Sequence, residues 1–189
     1  MSLLALDSRW RRLNDETYAC PCCGRSFGGL IDIGFGHPDA WPHGDLQPTA
    51  GATLNVGTDQ LSADLCRCDG LYFVHCVLPI PIRGSEETFL FGVWASVTED
   101  DFMSYVADAT GERPGFQGCA GWLMNDLPLF ENDEPLACGL KAPETASERP
   151  TLIAQDGPLA RAQAEGISFD HLLDIYAASG EDIRPHLNG

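Results

Sequence analysis

The chain has little positive charge. Its 189 residues include 28 Asp and Glu but 11 Lys and Arg, which gives a formal net charge of −17 at pH 7. Nucleic acids and anionic membranes are also negatively charged and would be repelled by such a surface. We therefore expect neither as a partner. A basic protein is the partner class that this charge favours, because opposite charges steer association.

Lysine is nearly absent, since Lys141 is the single lysine. A phosphate-binding P-loop lysine, a Schiff-base lysine or a general-base lysine therefore has almost no candidate. The sequence also lacks the Gly-x-Gly-x-x-Gly spacing of a dinucleotide site. No His-x-Glu or Cys-x-Glu occurs, so the signature of the zinc deaminases is missing as well. These familiar enzymatic patterns thus find no match in the chain.

Long apolar segments are missing too. No run of about 18 apolar residues occurs, and the N-terminal residues do not place a long apolar core behind a basic segment. We therefore expect a cytoplasmic protein that does not associate with membranes. In a reducing compartment the eight cysteines should be free thiols or metal ligands rather than disulfides.

The sequence Cys20-Pro21-Cys22-Cys23-Gly24 is typical of a zinc-binding turn. Two residues between Cys20 and Cys23 allow both sulfurs to reach about 2.3 Å from one ion, and the glycine supplies the backbone freedom that a tight turn needs. Cys22 lies inside the turn and is expected to point away from the metal. Such a turn supplies two ligands, and a tetrahedral site needs two more.

Three cysteines further along the chain are candidates for the remaining ligands. Cys66 and Cys68 are two residues apart, so in an extended segment both side chains would face the same way. Cys76 follows, with His75 beside it. The spacing leaves open which two of the three cysteines complete a structural zinc site. The alternative is that they are buried, reduced thiols that pack as small apolar groups.

Strand-forming segments occupy the middle of the chain and helical segments its two ends. Dense β-formers at 71–82 and 88–97 flank a turn and predict an antiparallel hairpin. We expect an α+β fold with a central antiparallel sheet, in a single domain that spans residues 1–189. Its expected parts are an N-terminal helix at 2–16, the cysteine turn and a loop at 18–70, a sheet core at 71–154, and C-terminal helices at 158–178.

Several short motifs occur in order along most of the chain. They are Cys20-x-x-Cys23-Gly24, Asp64-Leu65-Cys66, Cys76-Val77-Leu78-Pro79-Ile80-Pro81, Gly92-Val93-Trp94-Ala95-Ser96, Gly121-Trp122-Leu123, Arg149-Pro150 and Pro158-Leu159-Ala160. Together these motifs resemble an uncharacterised bacterial family, the domain of unknown function 2199 (DUF2199), over about residues 18–175.

The resemblance bears on the choice of metal ligands. It implies cysteines at the positions of Cys20, Cys23, Cys66 and often Cys76, whereas the residue at the position of Cys68 is usually apolar. It therefore favours Cys76 over Cys68 as the fourth ligand. The resemblance implies no activity.

Two function classes are compatible with these observations. The first is a non-enzymatic protein, of an inhibitory or immunity type, that binds a basic protein. Its structural zinc would be held by Cys20, Cys23, Cys66 and Cys76, with Cys68 as the alternative fourth ligand. Its acidic segments at 86–87, 99–101 and 131–134 could form a docking face.

The second class is an enzyme or a small-ligand-binding protein. Pockets are lined by aromatic side chains with a few polar groups among them. The candidates for such a lining are Trp41, Trp94, Trp122, Arg149 and Gln163. This hypothesis requires the five side chains to converge around one cavity.

Overall fold

The computed structural model describes residues 3–130, 134–145 and 147–188. A 3₁₀ helix (Leu3–Leu6) and helix α1 (Ser8–Leu13) are followed by strands β1 (Ile33–Gly34), β2 (Leu54–Val56), β3 (Asp59–Leu61), β4 (Leu65–Cys68), β5 (Leu71–Pro81) and β6 (Thr88–Val97). Helix α2 (Glu99–Ala109) precedes strands β7 (Cys119–Leu123), β8 (Leu136–Lys141) and β9 (Thr151–Ala154). Helices α3 (Gly157–Glu165), α4 (Phe169–Ala178) and α5 (Arg184–Leu187) follow. The fold is therefore mixed α+β, as the sequence predicts.

Strands β5 to β9 close into a barrel-like ring. Antiparallel pairing runs from β5 through β6, β7 and β8 to β9. The ring closes where β9 meets β5 in a parallel contact between Thr151 and Val77. Strands β4, β3 and β2 extend the antiparallel sheet from the first residues of β5, on the side where β9 pairs further along, and β1 adds a short parallel pair to β6. The expected central antiparallel sheet is thus present, with parallel contacts at β1 and β9.

The two long strands separate two apolar clusters, because residues two apart in a strand face the same side. One face of β5 and β6 lies in the main core, and each of its side chains is at most 1% exposed: Val74, Cys76, Leu78, Ile80, Phe89, Phe91, Val93 and Ala95. The opposite face carries a smaller cluster of Trp41, Leu61, Cys66, Cys68, Phe73 and Trp94. The same pair of strands therefore serves both clusters.

The first and last helices lie together against the main core. Ser168 caps α4, since its hydroxyl accepts the backbone N–H three residues later at 3.2 Å. Phe169 of α4 meets Trp10 of α1 edge to face, with ring centroids 5.1 Å apart. Tyr176 of α4 packs on Phe89 of the sheet at 5.9 Å. This packing brings the two ends of the described chain close to each other.

Two segments differ from the sequence expectation. The N-terminal helix is shorter than 2–16 because the chain breaks at Asp7, whose carboxylate accepts the Arg9 N–H at 2.8 Å and caps α1. The expected loop at 18–70 contains β1 to β4, which are too short for their strand pattern to stand out from the glycine-rich and proline-rich sequence around them.

Among the described residues, the helices are too short or too polar to cross a membrane.

Candidate metal centre

The cysteine turn presents its thiols at the end of a small hairpin. Ala19 and Ser26 form an antiparallel bridge at its base. Beyond the bridge, the Cys20 N–H donates to the Arg25 carbonyl at 2.8 Å, and the Gly24 N–H donates to the Cys20 carbonyl at 2.7 Å. Gly24 has a φ of +74°, which glycine adopts without steric cost. The turn is therefore closed by hydrogen bonds within residues 19–26.

Four donor atoms converge at this turn. The Sγ atoms of Cys20, Cys22 and Cys23 and a ring nitrogen of His186 all lie within 4.8 Å of one another. Cys20 Sγ is 3.0 Å from Cys22 Sγ, and Cys23 Sγ is 3.3 Å from His186 Nδ1. In a tetrahedral site with zinc–sulfur bonds of about 2.3 Å, neighbouring ligand atoms are about 3.5–3.8 Å apart. This Cys/His cluster has the size and the donor types of a metal site.

His186 reaches the turn from the other end of the chain, on helix α5. The Tyr18 hydroxyl donates to the His186 carbonyl at 3.1 Å, and the Arg12 guanidinium donates to the Leu187 carbonyl at 2.5 Å. The Leu187 side chain is fully buried in the main core. The Phe27 ring lies beside the imidazole, with centroids 6.4 Å apart. Tertiary packing, rather than the local turn, thus supplies the fourth donor.

Hydrogen bonding within the cluster favours a thiolate at Cys20. The contact with Cys22, and then the one with His186, lower the pKa of Cys20 to about 6. The contact with Cys20 raises the pKa of Cys22 to about 11, so these two sulfurs share one proton near neutral pH. Because the thiolate is the form of cysteine that binds metals, Cys20 is prepared to hold a cation.

The other five cysteines lie in strands. Cys66 and Cys68 of β4 are each 1% exposed, and Cys76 and Cys138 are fully buried. Burial raises the pKa of Cys66, Cys68 and Cys76, and it raises the pKa of Cys138 to about 12. Cys119, which is partly buried, has its pKa raised to about 11 by the same cause. These five residues are therefore neutral thiols at pH 7 and pack as small apolar groups.

The cluster contains two of the cysteines predicted to bind metal. Cys20 and Cys23 belong to it, whereas Cys66, Cys76 and the alternative ligand Cys68 lie in β4 and β5. The register that pairs Cys66 with Phe73 places Cys66 and Cys76 on opposite faces of the sheet, in different apolar clusters. The structure therefore does not direct their sulfurs to one position, and their role as ligands stays a prediction.

Cys22 and His186 are the members that sequence reasoning did not assign as ligands. The expectation that Cys22 points away from a metal is wrong, because the turn directs all three of its sulfurs to the same place. The presence of three cysteines within four residues could have indicated that Cys22 belongs to the cluster. His186 is 163 residues from Cys23 along the chain, and no local pattern marks it.

The residues of the hypothetical pocket are dispersed. Trp41 and Trp94 are buried in the smaller apolar cluster, whereas Trp122 is 52% exposed on β7. Arg149 forms an ion pair with an aspartate at 2.7 Å. The Gln163 amide accepts a backbone N–H of β9 at 2.8 Å and donates to a carbonyl of the same strand at 2.9 Å. The convergence that the pocket hypothesis requires is not found in the described residues.

The fold and the site together define a mixed α+β protein with a Cys/His cluster that could hold a metal ion. A family of uncharacterised proteins conserved in bacteria (DUF2199) matches residues 19–167, and the chain belongs to this family. The match confirms the resemblance seen in the sequence. It includes the three cysteines of the cluster, whereas His186 lies beyond it. No curated protein and no solved structure matches the chain significantly.

Proposed function

We propose that this protein binds one zinc ion at Cys20, Cys22, Cys23 and His186, and that the ion has a structural role. The observation that carries the proposal is the convergence of four donor atoms within 4.8 Å. Three thiolates and one imidazole are a donor set typical of structural zinc sites. Four protein ligands fill a tetrahedral shell, so the ion would have no open position for a substrate.

The proposed ion would fasten the C-terminal segment to the N-terminal turn. Three of its ligands lie in one turn and the fourth in α5, so the bond to His186 closes a loop of most of the chain. The ion pair between Arg25 and Glu181 and the hydrogen bond from Arg12 to Leu187 already join the same two segments. Metal binding to such a preformed site stabilises the folded state by mass action.

Elemental analysis of protein purified without added metal tests the zinc site. We expect about one zinc per chain. Cys22→Ser and His186→Ala should each lower the occupancy, because each removes a proposed ligand. Cys66→Ala and Cys76→Ala are matched controls that remove a sulfur from the sheet, and they should keep the zinc. Cobalt substitution adds an independent readout, since the intensity of the thiolate-to-metal charge transfer reports the number of bound sulfurs.

Two results would contradict the proposed ligand set. Zinc below about a tenth of an equivalent in freshly purified wild-type protein would remove the metal site altogether, because a closed four-ligand site retains its ion. Loss of zinc in folded Cys66→Ala and Cys76→Ala, with retention in Cys22→Ser and His186→Ala, would support the ligands predicted from sequence instead. Far-ultraviolet circular dichroism on every variant separates metal loss from unfolding.

We further propose that the protein acts without catalysis, by binding a basic protein as an inhibitor or immunity-type factor. The net charge of −17 supports this, because an acidic surface steers a basic partner to it. Affinity capture from the native host at low and high salt tests the idea. A basic partner should be enriched at low salt and lost as salt screens the charges. Failure to enrich any basic protein would contradict it.

A further inference from the structure

One tryptophan of this protein is exposed. Trp122 is 52% exposed, whereas the other three tryptophans are at most 8% exposed. Side chains alternate along β7, so Leu123 faces the core and Trp122 faces outward. The residues paired with Trp122 on the two neighbouring strands are Ser96 and Ala137, which are too small to cover an indole. The ring is therefore open to a partner.

The outward face of β7, β8 and β9 continues this apolar surface. Gly139 of β8 lies between Ala120 of β7 and Ile153 of β9, and Ile153 is 46% exposed. Isolated exposed apolar residues are ordinary, but an aromatic ring and an aliphatic side chain joined by small residues form a continuous patch. Such patches mark interaction sites on soluble domains.

An acidic cavity adjoins the indole. Asp39, Asp126 and Glu134 line a cavity of about 270 Å³ together with apolar side chains such as Leu123 and Leu136. A groove of about 390 Å³ lies against Trp122 and shares three wall residues with this cavity: Met124, Glu134 and Pro135. A bound segment could therefore contact the indole and the carboxylates at once.

The carboxylates of the cavity have no basic partner among the described residues. Asp39 accepts hydrogen bonds from the Asn125 amide at 3.0 Å and the Asp126 N–H at 2.7 Å, which fix its position. Within the described residues, Asp39, Asp126 and Glu134 form no ion pair, and no basic side chain lines the cavity. Lys141 lies at the far end of β8, four residues beyond the position beside Trp122. The acidic side chains near the indole are therefore complementary to a cationic group.

We propose that the indole of Trp122 and the adjacent acidic cavity bind a basic segment of a partner protein. A lysine or arginine of that segment enters the cavity and forms charge-assisted hydrogen bonds with its carboxylates. The aliphatic stem of the same side chain, or an apolar neighbour, covers the indole, and a second cation can lie over the ring. Tryptophan is among the residues that dominate binding energy at interfaces. The inference rests on the proposed function in one respect, namely that the partner is basic.

Peptide binding to the whole protein tests this surface. The probes are a short capped peptide of alternating arginine and leucine and the same peptide with citrulline, a neutral isostere, in place of arginine. The readouts are the fluorescence of Trp122, the one exposed tryptophan among the described residues, and anisotropy of labelled peptide. We expect the arginine peptide to bind and the citrulline peptide to bind at least about tenfold more weakly.

Paired charge variants locate the binding site. Asp126→Asn with Glu134→Gln should weaken binding by about tenfold, and Trp122→Ala by a similar factor. Glu86→Gln with Glu87→Gln removes the same charge from the exposed turn between β5 and β6 and should change binding by less than about twofold. The substituted side chains are exposed, so thermal midpoints should stay near the wild-type value and confirm folding.

Several outcomes would overturn the proposal. Equal loss in the two charge pairs would mean that the total charge, rather than this cavity, attracts the peptide. Equal binding of the citrulline peptide would mean a purely apolar site, and equal affinity for free arginine amide would mean a small-cation site. A basic partner captured from the host that binds Trp122→Ala as well as wild type would remove this surface and leave the proposed function standing.

Discussion

The eight cysteines of this protein fall into two groups with different chemistry. Cys20, Cys22 and Cys23 lie in one turn, where a hydrogen bond lowers the pKa of Cys20 to about 6 and a histidine completes the cluster. The other five lie in strands, where burial raises the pKa of every thiol. A turn gathers neighbouring side chains at one place, whereas a strand alternates them between two faces. The same residue type thus becomes a metal-binding candidate in the first setting and core packing in the second.

The largest difference between the two groups should appear in thiol reactivity. In metal-free protein, alkylation of the exposed Cys22 and Cys23 should be at least about 100-fold faster than that of Cys66, Cys76 or Cys138, which react only after the sheet opens. Added zinc should protect the turn thiols. Mass spectrometry of peptides after timed iodoacetamide treatment measures both effects. Rapid modification of the strand cysteines in folded protein would contradict the difference in reactivity between the two groups.

Serine substitutions should separate the groups in stability. Cys138→Ser places a hydroxyl in the fully buried core and should lower the free energy of unfolding by about 2 kcal/mol. Cys22→Ser, measured with chelator present, should change it by less than about 0.5 kcal/mol because the side chain is exposed. Urea denaturation gives both values. Equal losses in the two variants would mean that the turn is as tightly packed as the core.

The histidines extend the comparison to pH dependence. His75 is 8% exposed, stacks on Trp94 with centroids 4.6 Å apart, and has its pKa lowered by burial. Below about pH 6.5 the unfolded chain binds a proton at His75 that the folded protein does not bind. The free energy of unfolding should therefore decrease as the pH is lowered, by up to about 1.4 kcal/mol per pH unit. Between pH 7 and 5.5, denaturation midpoints of His75→Phe should depend less on pH than those of wild type.

His171→Gln is the control for this pH dependence, since His171 lies on helix α4 and contacts Phe130, whereas His75 stacks on Trp94. It should retain the wild-type slope. A pH dependence that is unchanged in His75→Phe and lost in His171→Gln would contradict the prediction, because His171 rather than His75 would then be its source.

The smallest effect should come from the ion pair that joins the turn to the C-terminal segment. Arg25 and Glu181 are paired, but their side chains are 35% and 51% exposed. Arg25→Gln should therefore cost about 0.5 kcal/mol and leave zinc occupancy unchanged. A double-mutant cycle with Glu181→Gln isolates the interaction. A coupling energy above about 1.5 kcal/mol would show that the two segments are held together firmly before any metal binds.

Local patterns were sufficient for several elements of the fold. The dense β-formers at 71–82 and 88–97 correspond to β5 and β6, and Thr98 and Ser168, residue types that favour N-caps, cap α2 and α4. Each of these signals depends on residues within one or two turns of the chain. The short strands between residues 33 and 68 were not predicted because each is only two to four residues long, which is too short for a strand pattern to be recognised.

Only the local part of the candidate site, the cysteine turn, could be predicted from the sequence. Cys20, Cys23 and Gly24 carry the pattern of the turn within five residues, and the turn forms through its own hydrogen bonds. Cys66 and Cys76 face opposite sides of the sheet, and the side that each residue faces depends on strand register. A shift of one residue moves a side chain to the other face of a sheet, and spacing along the sequence does not specify that shift.

The sequence by itself determined the acidic character of the protein, its α+β class and the cysteine turn, because composition and short-range spacing are properties of the chain alone. The tertiary structure decided which group completes the turn and which tryptophan remains exposed. His186 reaches the cluster because α4 and α5 pack on the barrel-like core beside α1, and Trp122 stays uncovered because small residues flank it on neighbouring strands. Both depend on contacts between residues far apart in sequence, whose positions are set by the packing of the whole core.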